Sequence, residues 1–162
     1  MTEEAMLVEY LRRAYHALDG LWFMMSEKAA GFDQALDLDR RVWEVLAKIQ
    51  ARKARELTES AGDSPGELAR CFTLKLTADG HRFESAADDD GVRFVILGCP
   101  WLDLLRKSDR QHLALKVAQT ICTTEGQVWC KEFGAAYEFE MPLMACAGTD
   151  RCEMRFLRKP ES

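Results

Sequence analysis

HRFESAADDDGVRFVIL, residues 81–97, decides the fold. Two runs with branched and aromatic residues, 81–86 and 92–97, flank Asp88, Asp89, Asp90 and Gly91, the composition of a polar turn, so the stretch predicts a β-hairpin. Helical periodicity lies on both sides of it. Ser64, Pro65 and Glu67 form a capping box with proline at the first helical position, which predicts a helix over 65–76. After the hairpin, Ser108 and Gln111 form a second capping-box pattern. Leu113, Val117, Ile121, Thr124 and Val128 continue from it as a long helix ending near Gly134.

Farther out, Leu7, Leu11, Ala14, Leu18, Trp22, Met25 and Ala29 recur at spacings of three and four, with Thr2, Glu3 and Glu4 as a start and Gly31 as a stop. Ala35, Leu38, Val42, Val45 and Ile49 repeat the pattern up to the charged stretch 50–59, which predicts an antiparallel helical hairpin over residues 1–60. Toward the C-terminus, 137–145 and 152–157 read as two further strands; Pro142 requires the first to be an edge strand or to carry a bulge. Without β-α-β alternation, the chain is expected to be α+β, with helices packed on a mainly antiparallel sheet of about four strands. It is read as a single domain, residues 1–162, made of the helical hairpin and an α+β portion over 64–162.

A net charge of -5, with cations spread along the chain, excludes the basic patch that nucleic-acid binding needs. No apolar run approaches the ~20 residues of a membrane span, and residues 1–9 are acidic where a signal peptide is basic, so a cytoplasmic protein without a membrane partner is expected. In a reducing compartment the six cysteines read as free thiols or metal ligands. Cys99 lies at a strand end, Cys122 in the long helix, and Cys146 and Cys152 flank a turn. Thiolates from these places could meet around zinc or an iron–sulfur cluster, although no Cys-x-x-Cys pair is present. The alternative is that they are small buried apolar side chains, the reading given to Cys71 and Cys130. On the first helix His16, Asp19, Phe23 and Glu27 share one sector opposite the apolar stripe, either as a solvated face or as groups for general acid–base work. The aspartates at 88–90 lack the alternation of a calcium loop and read as a solvated turn.

The stretches YHALDGLWFMM (15–25), GFDQALDLDRRVWEVLAKI (31–49), GCPWLDLLRK (98–107), ICTTEGQVWCKEFG (121–134) and CAGTDRCEMRF (146–156) resemble proteins related to L-2-amino-thiazoline-4-carboxylic acid hydrolase. That resemblance implies opening of a thiazoline ring. The ending GTDRCEMRF (148–156) is similar to the close of vinyl-4-reductase domains, which implies a small cysteine metal site. Cys152 matches that ending and Cys122 the helical cysteine, whereas Met144 stands in place of one cysteine.

The sequence therefore supports a small domain that binds a ligand or a metal, with a small-molecule pocket lined by Trp22, Trp101 and Trp129 and a metal set of Cys99, Cys122, Cys146 and Cys152. The alternative is a hydrolase of a small sulfur and nitrogen heterocycle, with Cys122, His16 and Glu27 as the catalytic groups. A further alternative is a homodimeric interaction protein associating through the aromatic first helix.

Overall fold

The computed structural model describes residues 1–134 and 136–159; residue 135 and the end of the 64–162 portion, 160–162, lie outside the described residues. Five α-helices and four strands follow one another as α1 (Glu3–Ala30), α2 (Phe32–Leu57), α3 (Pro65–Asp79), β1 (Arg82–Asp88), β2 (Gly91–Gly98), α4 (Pro100–Lys107), α5 (Ala114–Glu132), β3 (Tyr137–Leu143) and β4 (Cys152–Arg158). The strands form one antiparallel sheet in the order β1-β2-β4-β3, as an α+β chain with two terminal hairpins requires. Pro142 sits on the edge strand β3, and the register with β4 shifts between Glu140 and Leu143, so the missing N–H falls at both an edge and a bulge.

Three layers result. The inner sheet face carries Val92, Phe94, Ile96, Cys152, Met154 and Phe156, and α3 and α5 cover it with Leu68, Phe72, Val128, Trp129 and Phe133. Phe72 centres this core, with ring centroids 5.0 Å from Phe94, 4.9 Å from Phe156 and 4.9 Å from Trp129. On the opposite sheet face Glu153 is clasped by Arg93 and Arg155, both at 2.7 Å. The α1–α2 hairpin forms the third layer. Ala47, Ala51 and Ala54 are buried there, and their short side chains let α2 approach α3 and α5 closely. Arg12 ties α1 to the end of α3 by donating to the carbonyls of Ala78 (2.8 Å) and Thr77 (3.0 Å).

The hairpin forms where the sequence predicts it, but turned over. The stripe Leu7, Leu11, Leu18, Trp22 and Met25 faces outward, and so do Leu38, Val42, Val45 and Ile49 on α2. The buried stripe of α2 is instead Ala35, Leu36, Asp39, Trp43, Ala47, Ala51 and Ala54. On α1 it is the polar row that meets the protein, with His16 buried and Asp19, Phe23 and Glu27 partly so. Hydrophobicity alone could not choose the face, because the Asp19 carboxylate of that row finds a partner inside in the Trp101 indole and the His16 ring packs on the same indole. The second capping box also resolves differently: Ser108 closes α4, its hydroxyl donating to the carbonyls of Leu104 (2.9 Å) and Leu105 (3.2 Å). A 3-10 turn, Gln111–Leu113, then leads into α5.

Gly126 marks the tightest approach of α5 to the sheet. A Cβ there would run into the ring of Phe139, itself packed at 5.1 Å on Phe156. Gly126→Ala should therefore lower stability by about 1–3 kcal/mol despite alanine's better helix propensity. Denaturant unfolding checks this, and an unchanged or raised midpoint would show that Phe139 can step aside.

Candidate functional site

Trp101, at the first turn of α4, is ringed by polar aromatics. Its indole centroid lies 4.5 Å from the ring of His16, 5.9 Å from Tyr15, 5.7 Å from Trp43 and 5.7 Å from His81, the last nearly stacked at 28°. The indole N–H donates to Asp19 Oδ2 at 2.8 Å, and Trp43 also supports that carboxylate. Asp39, buried on α2, faces the same group. Its carboxyl is pushed up to about 7, mainly by burial and secondarily by the charge of Asp19.

Beside this ring lies a buried ion cluster. Lys75 Nζ on α3 is 2.6 Å from Glu125 Oε1 on α5 and 3.1 Å from Asp79 Oδ2, donating to both carboxylates. Burial opposes the ammonium, but the two carboxylates more than offset it and hold the lysine charged. Burial raises Glu125 in turn, with Lys75 opposing. Around the cluster, Tyr15 Oη, His16 Nε2 and His81 Nδ1 are interior polar atoms without a hydrogen-bond partner of good geometry among the described residues, while the backbone of Asp79 supports the His16 imidazole and that of Leu76 the His81 imidazole. Burial lowers His16 against the pull of Asp79 and Asp19. Burial and then the charge of Lys75 bring His81 down to about 3, so at neutral pH both rings are uncharged.

The thiols of Cys99, Cys122, Cys146 and Cys152 lie in one neighbourhood: Cys152 opposes ionisation of the other three, Cys146 that of Cys99, and Cys99 that of Cys122. Burial is the main influence on all four and keeps them protonated. It pushes Cys99 up to about 11 against the amides of Leu102 and Trp101, and raises Cys122, which also faces Cys99 and Glu125, well above the usual thiol range. Cys152 Sγ accepts the Ala145 N–H at 3.2 Å. Among the described residues no group of three or more His, Cys, Asp or Glu is placed to hold a metal ion. Cys71 and Cys130 are buried packing residues, as their positions predict.

The other expected groups part company. Trp22 is 59% exposed on the outer hairpin face, Trp129 is fully buried in the main core, and only Trp101 lies at the ring described above, so the three do not line one pocket. His16 and Cys122 both border the Lys75 cluster. Glu27 is engaged by Arg110 at 2.6 Å, and its place eleven residues from His16 puts it roughly 16 Å farther along the helix. Lys75, Asp79, Glu125, Asp39, Trp43, Tyr15 and His81 complete the site. A charged residue within an apolar helical stripe is the signal for two of them: Lys75 among Leu68, Phe72 and Leu76, and Glu125 among Ala118, Ile121 and Val128.

Residues 2–148 match a family described as a family of unknown function (DUF6125), and the chain belongs to it. No curated protein and no solved structure matches the chain. No helix among the described residues is long and apolar enough to cross a membrane.

Two groups of the site should give stability opposite pH slopes. Asp39 has a folded pKa above its unfolded 3.8, so its contribution is complete below pH 3.8 and is lost as pH rises through about 7. His81 has a folded pKa below its unfolded 6.5, so its contribution is present above pH 6.5 and is lost as pH falls toward about 3. Asp39→Asn should gain roughly 2–4 kcal/mol over wild type above neutrality, and His81→Gln should flatten the acid limb. Urea unfolding of each variant across this range tests both, and parallel profiles for wild type and variants would contradict the assignments.

Proposed function

We propose that the chain binds a small, nitrogen-bearing molecule at the junction of α1, α3, α4 and α5. The observation that carries this reading is the trio of unpartnered interior atoms, Tyr15 Oη, His16 Nε2 and His81 Nδ1, gathered beside Trp101 and the Lys75 ion cluster. Each such atom costs about 1–3 kcal/mol if left unsatisfied, and three of them at one junction make a recognition surface. Lys75 is already offset by Asp79 and Glu125, so the junction has no spare positive charge and favours a neutral or amine-bearing ligand over a carboxylate. Uncharged imidazoles can accept N–H donors, Tyr15 can donate or accept, and the Trp101 indole, with His81 stacked on it, forms the aromatic wall of the junction. The protonated Cys122 thiol borders the cluster and would be a neutral contact in this reading.

The resemblance to thiazoline-opening hydrolases suggests the probes. Binding of 2-aminothiazoline and of its 4-carboxylate is measured by thermal shift and by quenching of tryptophan emission. The carboxylate-free ring should raise the melting temperature more than the carboxylate does, and Tyr15→Phe with His16→Ala should abolish that rise while the far-UV spectrum is kept. Consumption of either probe would move the reading to hydrolysis. No response to either probe, with waters found on all three atoms in a high-resolution crystal structure, would contradict it.

A further inference from the structure

The outer face of the α1–α2 hairpin is apolar where a solvent-facing helix pair should be polar. Leu7, Leu11, Leu18, Trp22 and Met25 on α1 each expose more than half of their surface, and Val45 and Ile49 on α2 do the same. Of the nineteen large apolar residues exposed among the described ones, fifteen lie on these two helices. At the closed end of the hairpin a groove of about 580 Å³ is lined by Ala29, Ala30 and Leu38 together with polar Ser26, Asp33, Asp37 and Arg41, so the apolar face ends there in a polar rim. A patch of this extent is rarely left to water on a monomer.

The surface area gives the size of the missing cover. The chain exposes 9745 Å², against about 8,200 Å² for a compact monomer of its mass, an excess of about 1,500 Å². An excess of about 1,500 Å² per chain, roughly 3,000 Å² for two, falls in the roughly 2,000–5,000 Å² class of obligate homodimer interfaces, so one further chain is large enough to cover it. Charge points to the occupant. α1 is acidic at its start, with Glu3 and Glu4, and at its end carries Lys28 beside Glu27, which Arg110 neutralises at 2.6 Å, so the uncompensated charge there is basic. Two copies of α1 crossing antiparallel about a two-fold axis would bring opposite charges together at both ends and oppose the helix dipoles favourably. A lipid surface would call for a lysine- and arginine-rich fringe, whereas Asp37, Glu44, Arg41 and Lys48 on α2 mix both signs and the chain carries a net charge of -5.

We propose that this face is a homodimer interface, joining the α1–α2 hairpins of two copies into a four-helix layer with their apolar stripes inside. Sedimentation equilibrium on the full chain tests it, with Leu18→Glu/Trp22→Glu as the variant. The wild type should show twice the 18.4 kDa protomer mass in the micromolar range. The variant should show half the wild-type mass with an unchanged far-UV spectrum. Should the variant fail to fold, the wild type decides alone: a melting temperature that rises with protein concentration supports the dimer. A wild-type mass of one protomer at every concentration, a variant that remains dimeric, or a monomer that binds phosphatidylcholine vesicles through this face would each overturn it.

Discussion

Lys75 is the point on which the interior depends. Its ammonium is buried between a sheet-backed core and a helical hairpin, and only Glu125 at 2.6 Å and Asp79 at 3.1 Å make that burial tolerable. An unpaired charge in that place would cost several kcal/mol, so α3 and α5 are held in one relative register by electrostatics as well as by the aromatic core beneath them. The same constraint sets the character of the neighbouring groups. His81 cannot take up a proton easily beside a permanent cation, and His16 and Tyr15 are kept neutral by their burial. The result is an interior that is polar yet carries little free charge, lying where four helices meet and next to four protonated thiols.

The hairpin explains how such an interior is closed. α1 presents Arg12, His16, Asp19 and Phe23 inward: Arg12 satisfies two carbonyls at the end of α3, His16 packs on the Trp101 ring at 4.5 Å, Asp19 receives the Trp101 indole N–H, and Phe23 packs edge-on against Phe32 at 5.8 Å. The helix is anchored by polar contacts and leaves its leucines and tryptophan outside. That inversion ties the interior site to the outer face, because a helix which uses its polar face to complete a site has its apolar face left to meet a partner.

Much of the architecture was legible in the chain. The Asp-rich turn, the Ser64 capping box, Gly31 and the placement of Pro142 are local chemical signals, and local signals survive folding. The faces of α1 and α2 were not legible, because periodicity shows that a helix has two sides and says nothing about which is inside. Exposed leucines and buried alanines reverse the usual assignment whenever helices pack closely or a partner is involved. The site was legible in pieces. Cys99, Cys122, Cys146 and Cys152 stand at places that converge, and His16 lies in the interior ring. Lys75 and Glu125 carried a readable sign, charge in an apolar stripe, whereas His81 and Asp39 become site residues only through contacts between distant elements.

The polarity of the interior depends on the ion cluster, whereas the net stability of the fold does not. Chemical denaturation of Lys75→Met against the triple variant Lys75→Met/Asp79→Leu/Glu125→Leu tests this most directly. The single change strands two buried carboxylates and should cost about 3–5 kcal/mol, while the apolar triple should recover wild-type stability or exceed it. A triple variant no more stable than the single one would contradict the claim, and would make the lysine cluster a structural requirement of this fold.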